Sequence, residues 1–325
     1  MKLANIYGFL KKDLQDIEHM LTETIEAEHP ILREASLQLL QAGGKRIRPV
    51  FVLLSAQFGN YNENIEQIKS VAVALELIHM ATLVHDDVVD DAELRRGKPT
   101  IKYLYGNRVA MYTGDYILAR ALEVITTVKI PTVHHSLSKT LVKVVEGEIA
   151  QIEDKYNVNQ GIKDYLRRIK RKTALLIAIS CKLGAIASGA TMKQANQLYR
   201  YGYNVGMSFQ IIDDILDFTA SSEELGKPTG SDLIQGNITL PIFFAMNDQE
   251  FMDELVHVFQ SSNQIDEERI KHLLFLLKQT DAIEESYRLS NLYLQKGIQS
   301  IQTLKNTKAK RTLQTIASII GKRRS

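Results

Sequence analysis

The chain has 325 residues, with 40 Lys and Arg against 38 Asp and Glu, a net charge of +2 and 45% hydrophobic residues. That balance excludes disordered, collagen-like and low-complexity polymers. Eighteen glycines and six prolines are too few for the frequent turns of an all-β chain, and the single cysteine, Cys181, excludes a disulfide framework or a cysteine-based zinc site and points to a reducing, cytoplasmic compartment.

The N-terminal stretch carries Lys2, Lys11, Lys12 and Asp13, so no signal-peptide apolar run is expected there. Ile31, Leu32, Ala35, Leu39 and Ala42 recur at three- and four-residue steps, which predicts a helix stopped by Gly43-Gly44. Pro49 predicts the start of the next helix, residues 50 to about 58, because a missing N–H costs nothing there. Asn64 with Gln67 resembles a capping box ahead of an apolar run from 65 to 84. Residues 173–190 have the length and apolarity of a membrane span, with a basic flank at Arg167, Arg168, Lys170, Arg171 and Lys172. Lys182 in the middle favours a buried helix instead. Thr191 with Gln194 predicts a second capping box before a long helix through Phe218. Helical patterns follow over 266–279, 281–303 and 307–320; the irregular stretches are 92–100 and 220–237. With no alternating strand pattern, fixed repeat or dividing linker, the expectation is one all-α domain over residues 1–325, a helical bundle.

The most informative feature occurs twice. Asp86-Asp87-Val88-Val89-Asp90-Asp91 ends one apolar helix, and Asp213-Asp214-Ile215-Leu216-Asp217 lies inside another, 127 residues later. Positions i, i+1 and i+4 lie near one face of a helix, so each cluster is expected to present three carboxylates together. Their mutual repulsion in apolar surroundings calls for a hard cation, and magnesium takes carboxylates together with phosphate oxygens and water. Cations suited to phosphate lie nearby in sequence. Gly43-Gly44-Lys45-Arg46-Ile47-Arg48-Pro49 opens a helix N-terminus, Arg95-Arg96-Gly97 follows the first cluster, Lys172-Thr173 opens the buried helix, and Lys227 follows the second cluster. His79, seven residues before Asp86, and Gln210, three before Asp213, fall on the faces of their clusters. A lone histidine in an apolar helix is more often a core residue; here a phosphate contact is the sharper reading.

Together these residues resemble the trans-type isoprenyl diphosphate synthases. The family's first motif matches Asp86 to Asp90 with Arg95-Arg96-Gly97. Its second matches Phe209-Gln210-Ile211-Ile212-Asp213-Asp214-Ile215-Leu216-Asp217, and the segment from Gly43 to Pro49, His79, Lys172-Thr173 and Gly226-Lys227 match in order and spacing. The resemblance spans essentially the whole chain. It implies the isoprenoid synthase fold, a helical bundle around a deep central cavity, and magnesium-dependent joining of an allylic diphosphate to isopentenyl diphosphate. It further implies three magnesium ions held between the clusters by Asp86, Asp87, Asp90, Asp213, Asp214 and Asp217. Arg95, Lys172 and Lys227 would grip the allylic diphosphate, and Lys45, Arg48, His79 and Arg96 the isopentenyl diphosphate. Thr173 and Gln210 would stabilise the allylic cation. Asn237 stands before Ile238-Thr239-Leu240-Pro241 where many relatives carry a lysine, so that cationic contact has no counterpart here.

Product length follows from helix geometry within that resemblance. Ala81 and Thr82 lie five and four residues before Asp86, about one turn, or about 5.4 Å, deeper along the helix. Short-chain relatives carry bulky aromatics there, so small residues imply a long product from a farnesyl-type primer, of heptaprenyl length, for a quinone (menaquinone) side chain. The chain looks like the catalytic subunit of a two-component enzyme, which implies a smaller non-catalytic component I as partner. A class I terpene cyclase would mix Asn, Ser, Thr or Glu into its second motif. A helical metal phosphohydrolase is suggested by His85-Asp86 but leaves the second cluster unexplained. A non-catalytic binding subunit would be expected to lose aspartates that are all present. No nucleic-acid partner is expected.

The near-zero net charge is a cancellation. The last 21 residues hold Lys305, Lys308, Lys310, Arg311, Lys322, Arg323 and Arg324 and no acid. Leu313, Ile316, Ala317 and Ile320 give that segment an apolar stripe, read as a terminal helix packed on the core, with peripheral contact to anionic membrane the weaker reading.

Overall fold

A computed structural model describes residues 7–44, 46–95, 97–221, 229–260 and 267–323. Its contacts gather in two compact units. The first comprises residues 1–140, 176–202 and 300–316; the second comprises 141–175, 203–299 and 317–325.

The first unit opens with α1 (Lys11–Thr24), α2 (Pro30–Gln41) and α3 (Ile47–Ala56), followed by α4 (Ile65–Val89). Apolar residues run almost all round α4 and are buried on successive turns from Ile68 to Val84. A helix apolar on every side is driven to the middle of its unit, and α4 packs chiefly against α5 (Ile101–Thr126). α3 starts three residues before the predicted residue 50. Proline occupies the third helical position, where its missing N–H is still one of the four that lack an intrahelical partner. No side-chain cap forms at Asn64; its amide donates instead to the Asn60 carbonyl at 3.0 Å. Between α4 and α5 lies a ribbon that hydrophobic patterning does not show, β1 (Leu94–Arg95) antiparallel to β2 (Lys98–Pro99). Two residues per strand are too few for an alternating signal.

α6 (Pro131–Glu153) runs on from the first unit into the second. α8 (Leu175–Ala187) is thirteen residues long and buried except at Lys182, which lies over the Tyr199 ring at 5.6 Å. The buried-helix reading therefore holds over the membrane span. α4 is the one described helix long and apolar enough to cross a membrane, and 67% of its apolar window is buried within protein. On α8, a Cβ at Gly184 would lie 2.3 Å from the Val52 carbonyl oxygen and 2.8 Å from Val52 Cα. The obstacle is α3 backbone, which has no rotamer to give way. Gly184→Val is expected to cost about 3 kcal/mol, a melting-point loss of about 5 °C or more by circular dichroism. An unchanged melting point would contradict this packing.

α9 (Met192–Thr219) opens on the predicted capping box. The Thr191 N–H donates to Gln194 Oε1 at 2.9 Å and the Gln194 N–H to Thr191 Oγ1 at 3.3 Å. The second unit adds α7 (Ile162–Ile169), a π-helical turn at Lys170–Ala174, α10 (Ser231–Ile234), α11 (Leu240–Ala245), α12 (Gln249–Gln260), α13 (Glu267–Gln279) and α14 (Ala282–Ser300). Arg168 ties four of its segments together. The side chain is 6% exposed and donates to Gln160 at 2.9 Å, to Asp154 at 3.3 Å and to the Ile238 carbonyl, while its guanidinium lies 5.7 Å from the Tyr165 ring. A buried charge is tolerated only with such full pairing. The chain closes with α15 (Lys308–Gly321), where Leu313, Ile316, Ala317 and Ile320 are all buried, as the packed-helix reading expects.

Candidate active site

The predicted site residues fall on both units. In the first, α4 carries His79, Ala81, Thr82, Asp86 and Asp87, and Asp90 is its C-cap. Asp86 and Asp90 are half-buried, whereas Asp87 is 3% exposed. Three carboxylates on one face was the expectation; the structure turns the middle one inward, because adjacent residues on a helix diverge by about 100°. Asp87 Oδ1 accepts from Arg95 Nε at 2.8 Å, and Arg95 Nη2 lies 2.7 Å from the same oxygen. Burial pushes the Asp87 pKa up and Arg95 pulls it partly back. The β1–β2 ribbon holds Arg95 in place: the Ala92 N–H donates to the Asp87 carbonyl at 2.9 Å, and Thr100 Oγ1 to the Ala92 carbonyl at 2.7 Å. His85 turns to Asp115 on α5, 3.2 Å away, against Gly114, where a Cβ would strike its ring. The His85-Asp86 doublet is therefore split. His79 and Thr82 are half-buried, Thr82 Oγ1 donates to the His79 carbonyl at 2.8 Å, and Ala81 is 1% exposed. Arg48 sits half-buried in the first turn of α3. Lys45, Arg96 and Lys227 lie outside the described residues.

In the second unit, the π turn carries Lys172 and Thr173. Such turns insert one residue into the helical repeat and re-aim the side chains around it. Gly206 on α9 lets the turn come close, since a Cβ there would lie 2.7 Å from Ala174 Cα. The pairing this allows runs in a line. Thr173 Oγ1 donates to Gln210 Oε1 at 2.6 Å, Gln210 Nε2 donates to Asp214 Oδ1 at 2.8 Å, and the Tyr165 hydroxyl donates to Asp214 Oδ2 at 2.6 Å. Lys172 Nζ donates to Gln151 Oε1 at 3.0 Å and Glu148 Oε2 at 3.3 Å, both on α6. The second cluster also departs from three shared carboxylates. Asp217 is fully buried and accepts from Ser231 Oγ at 2.9 Å and the Asp232 N–H at 3.1 Å, fixing the start of α10. Asp213 is half-buried, and Arg323, just beyond α15, donates to its Oδ1 at 3.0 Å while lying 5.6 Å from the Phe209 ring. Tyr165 and Arg323 carried no sequence signal for these partnerships.

Asp214 is walled from solvent. Burial, and then the nearby charge of Asp232, push its pKa from the ordinary 3.8 up to about 8, against the opposing bonds from Tyr165 and Gln210. Between those values the folded protein keeps a proton that the unfolded chain has released, so stability falls as pH rises through that window. Metal-free protein is expected to melt lower at about pH 9 than at about pH 6, and Asp214→Asn is expected to flatten that slope in a thermal scan. An identical slope in the variant would contradict the assignment.

Among the described residues no three His, Cys, Asp or Glu side chains converge into a ready coordination shell. Magnesium needs none: one or two carboxylates suffice when phosphate oxygens and water complete its shell. Asp86 and Asp90 offer hard oxygen donors, and Asp213 already accepts a cation in the guanidinium of Arg323. The donor set fits magnesium with a phosphorylated ligand.

Residues 29–277 match the polyprenyl synthetase family model, and the chain belongs to that family. It is 56% identical to heptaprenyl diphosphate synthase component 2 of Bacillus subtilis (strain 168), over all of this chain and 92% of that one. The crystal structure of heptaprenyl diphosphate synthase from Staphylococcus aureus superimposes with a TM-score of 0.92 at 41% identity, covering 100% of this chain and 99% of that one. The crystal structure of a polyprenyl synthase from Caulobacter crescentus, complexed with calcium and isoprenyl diphosphate, gives a TM-score of 0.93 at 28% identity, covering 100% and 98%. The all-α fold and the family resemblance read from the sequence are both borne out.

Proposed function

We propose that the chain elongates an allylic diphosphate with isopentenyl diphosphate, running from a farnesyl-type primer to an all-trans product of heptaprenyl length for a menaquinone side chain. The observation that carries this reading is the doubled aspartate cluster, with half-buried carboxylates at Asp86, Asp90 and Asp213 on a chain of this family. Asp86, Asp90 and Asp213 would hold magnesium, three ions by the family resemblance, and the bound metal would supply positive charge to the leaving diphosphate. The inward aspartates are positioning groups. Asp87 holds Arg95, Asp214 holds Gln210 and Asp217 holds α10. Arg95, Lys172 and Lys227 bind the allylic diphosphate; Lys45, Arg48, His79 and Arg96 bind isopentenyl diphosphate. Thr173 commits its proton to Gln210, which leaves its oxygen lone pairs free to accept, and they would stabilise the allylic cation. The isopentenyl double bond attacks that cation, and the proton it then loses passes to the departing diphosphate, so no side-chain base is required.

The component 2 name of the relatives supports a smaller component I as the partner of this chain. A buried Cys181, its thiol pushed up to about 12 by burial, suits a reducing cytoplasm. Purified protein, with and without the smaller subunit, is to be given magnesium, farnesyl diphosphate and labelled isopentenyl diphosphate. Label in an acid-labile prenyl product supports elongation. Label-free hydrocarbon marks a cyclase and free phosphate a phosphohydrolase; either would overturn the reading.

A further inference from the structure

Arg46, at the N-cap of α3, is the residue between the two glycines and Arg48 whose role the aspartate chemistry does not explain. Its backbone is left-handed, φ 44° and ψ 41°. A branched-at-Cβ or long side chain takes that conformation only where the surroundings over-determine it. Here the side chain supplies the constraint. The side chain is 13% exposed, and its guanidinium donates from Nε to Glu18 Oε1, from Nη2 to Glu18 Oε2 at 3.1 Å, from Nη1 to Glu76 Oε1 at 3.3 Å and from Nη2 to the Leu40 carbonyl at 3.3 Å. Glu18 lies on α1, Leu40 on α2 and Glu76 on α4, so one side chain bridges three helices to the start of a fourth. Glu76 is 5% exposed, and its second oxygen, Oε2, is buried with no hydrogen-bond partner among the described residues. Burial alone would lower the Arg46 pKa, and the bonds and charges of Glu18 and Glu76 outweigh it.

A half-satisfied carboxylate inside an apolar helix is costly for the fold alone. Its placement has a use. Glu76 is one turn before His79 on α4, and Arg46 is two residues before Arg48. We propose that Arg46 and Glu76 are positioning residues that lock the turn bearing Arg48 to the helix bearing His79, so that isopentenyl diphosphate meets a preformed cationic grip. The inference rests on the assignment of Arg48 and His79 to that substrate. Preorganised groups bind without reorganising at the moment of binding, and a fork held at both ends is more rigid than a lysine point charge.

Titration calorimetry of the full chain with isopentenyl diphosphate, and separately with farnesyl diphosphate, tests this. Arg46→Gly is the informative variant, because glycine relieves the left-handed backbone while deleting the clamp. It is expected to weaken isopentenyl diphosphate binding about tenfold and leave farnesyl diphosphate within about twofold. Glu76→Gln, which keeps shape and loses charge, should act in the same direction, and Arg46→Lys should restore only part of the affinity. Glu18→Gln, at a more exposed partner, gives a milder variant should the others fold poorly. Equal weakening toward both substrates, or none toward either, overturns the positioning role. Arg48→Gln is the control on the underlying assignment. If it binds isopentenyl diphosphate normally, the substrate assignment fails and the positioning role falls with it. If it weakens binding while the Arg46 and Glu76 variants do not, only the positioning role is overturned.

Discussion

Asp86→Asn is expected to lower turnover by about 10³-fold, about 4 kcal/mol of transition-state stabilisation, without lowering the melting temperature. The two halves of that expectation have separate causes. Asp86, Asp87 and Asp90 crowd the C-terminal end of α4. That end of a helix carries partial negative charge, so each carboxylate is disfavoured there by roughly 0.3–1 kcal/mol. Removing the half-buried Asp86 charge with an isostere relieves that repulsion and leaves packing alone. Its loss is expected to be felt mainly in turnover, where the cation that Asp86 would help to hold has one ligand fewer as the diphosphate leaves. Asp87→Asn should behave differently. Asp87 is buried with Arg95 on its Oδ1, and weakening a buried charge-assisted pair costs stability of about 1–3 kcal/mol. A pair of thermal scans beside steady-state rates separates the two variants. A melting-point loss in Asp86→Asn, or near-normal turnover, would contradict the division of labour between outward and inward aspartates.

Ala81→Phe is expected to shorten the product rather than abolish synthesis. α4 is the element along which distance from Asp86 is measured, and residue 81 lies five residues back, a little over one turn along the axis. A phenyl ring there is expected to block the growing prenyl tail, which on the proposed reading passes the small side chains of this face. Ala81 is 1% exposed, so the ring also meets neighbouring side chains, and overpacking is expected to cost about 1–3 kcal/mol. Thr82→Phe, at the half-buried neighbour, carries less of that cost and should also shorten the product. Chromatography of dephosphorylated products reads the outcome. Unchanged length in both variants would remove this face of α4 from the path of the chain.

Much of the site was legible because it is built from local spacing. Thr191 and Gln194 form their box across a single turn, and the i, i+1, i+4 spacing of the aspartates marked both clusters. The same spacing misjudged how many carboxylates share a face. Which side of a helix is buried depends on what packs against it, and Asp217 is covered by residues 231 and 232, which no helical period reveals. The π turn at Lys170–Ala174 was invisible for a similar reason: one inserted residue leaves composition and apolar spacing intact. Tyr165 and Arg323 reach Asp214 and Asp213 across 49 and 110 residues. Such partners are selected by tertiary packing, so only the structure supplies them. Gly202 and Gly206 are further positions where packing inside the chain leaves no room for a side chain. A Cβ on Gly202 would strike Cys181 Sγ and the Ile177 carbonyl at 2.8 Å, and one on Gly206 would strike Ala174.

The proposed activity is lengthening of a prenyl diphosphate to a defined, long product. Its most direct test is product-length analysis after incubating the purified chain and the smaller subunit with magnesium, farnesyl diphosphate and labelled isopentenyl diphosphate. Label is expected in an acid-labile all-trans product of heptaprenyl length, lost when magnesium is chelated. No elongated product under those conditions, or label halted at the farnesyl-plus-one stage, would contradict it.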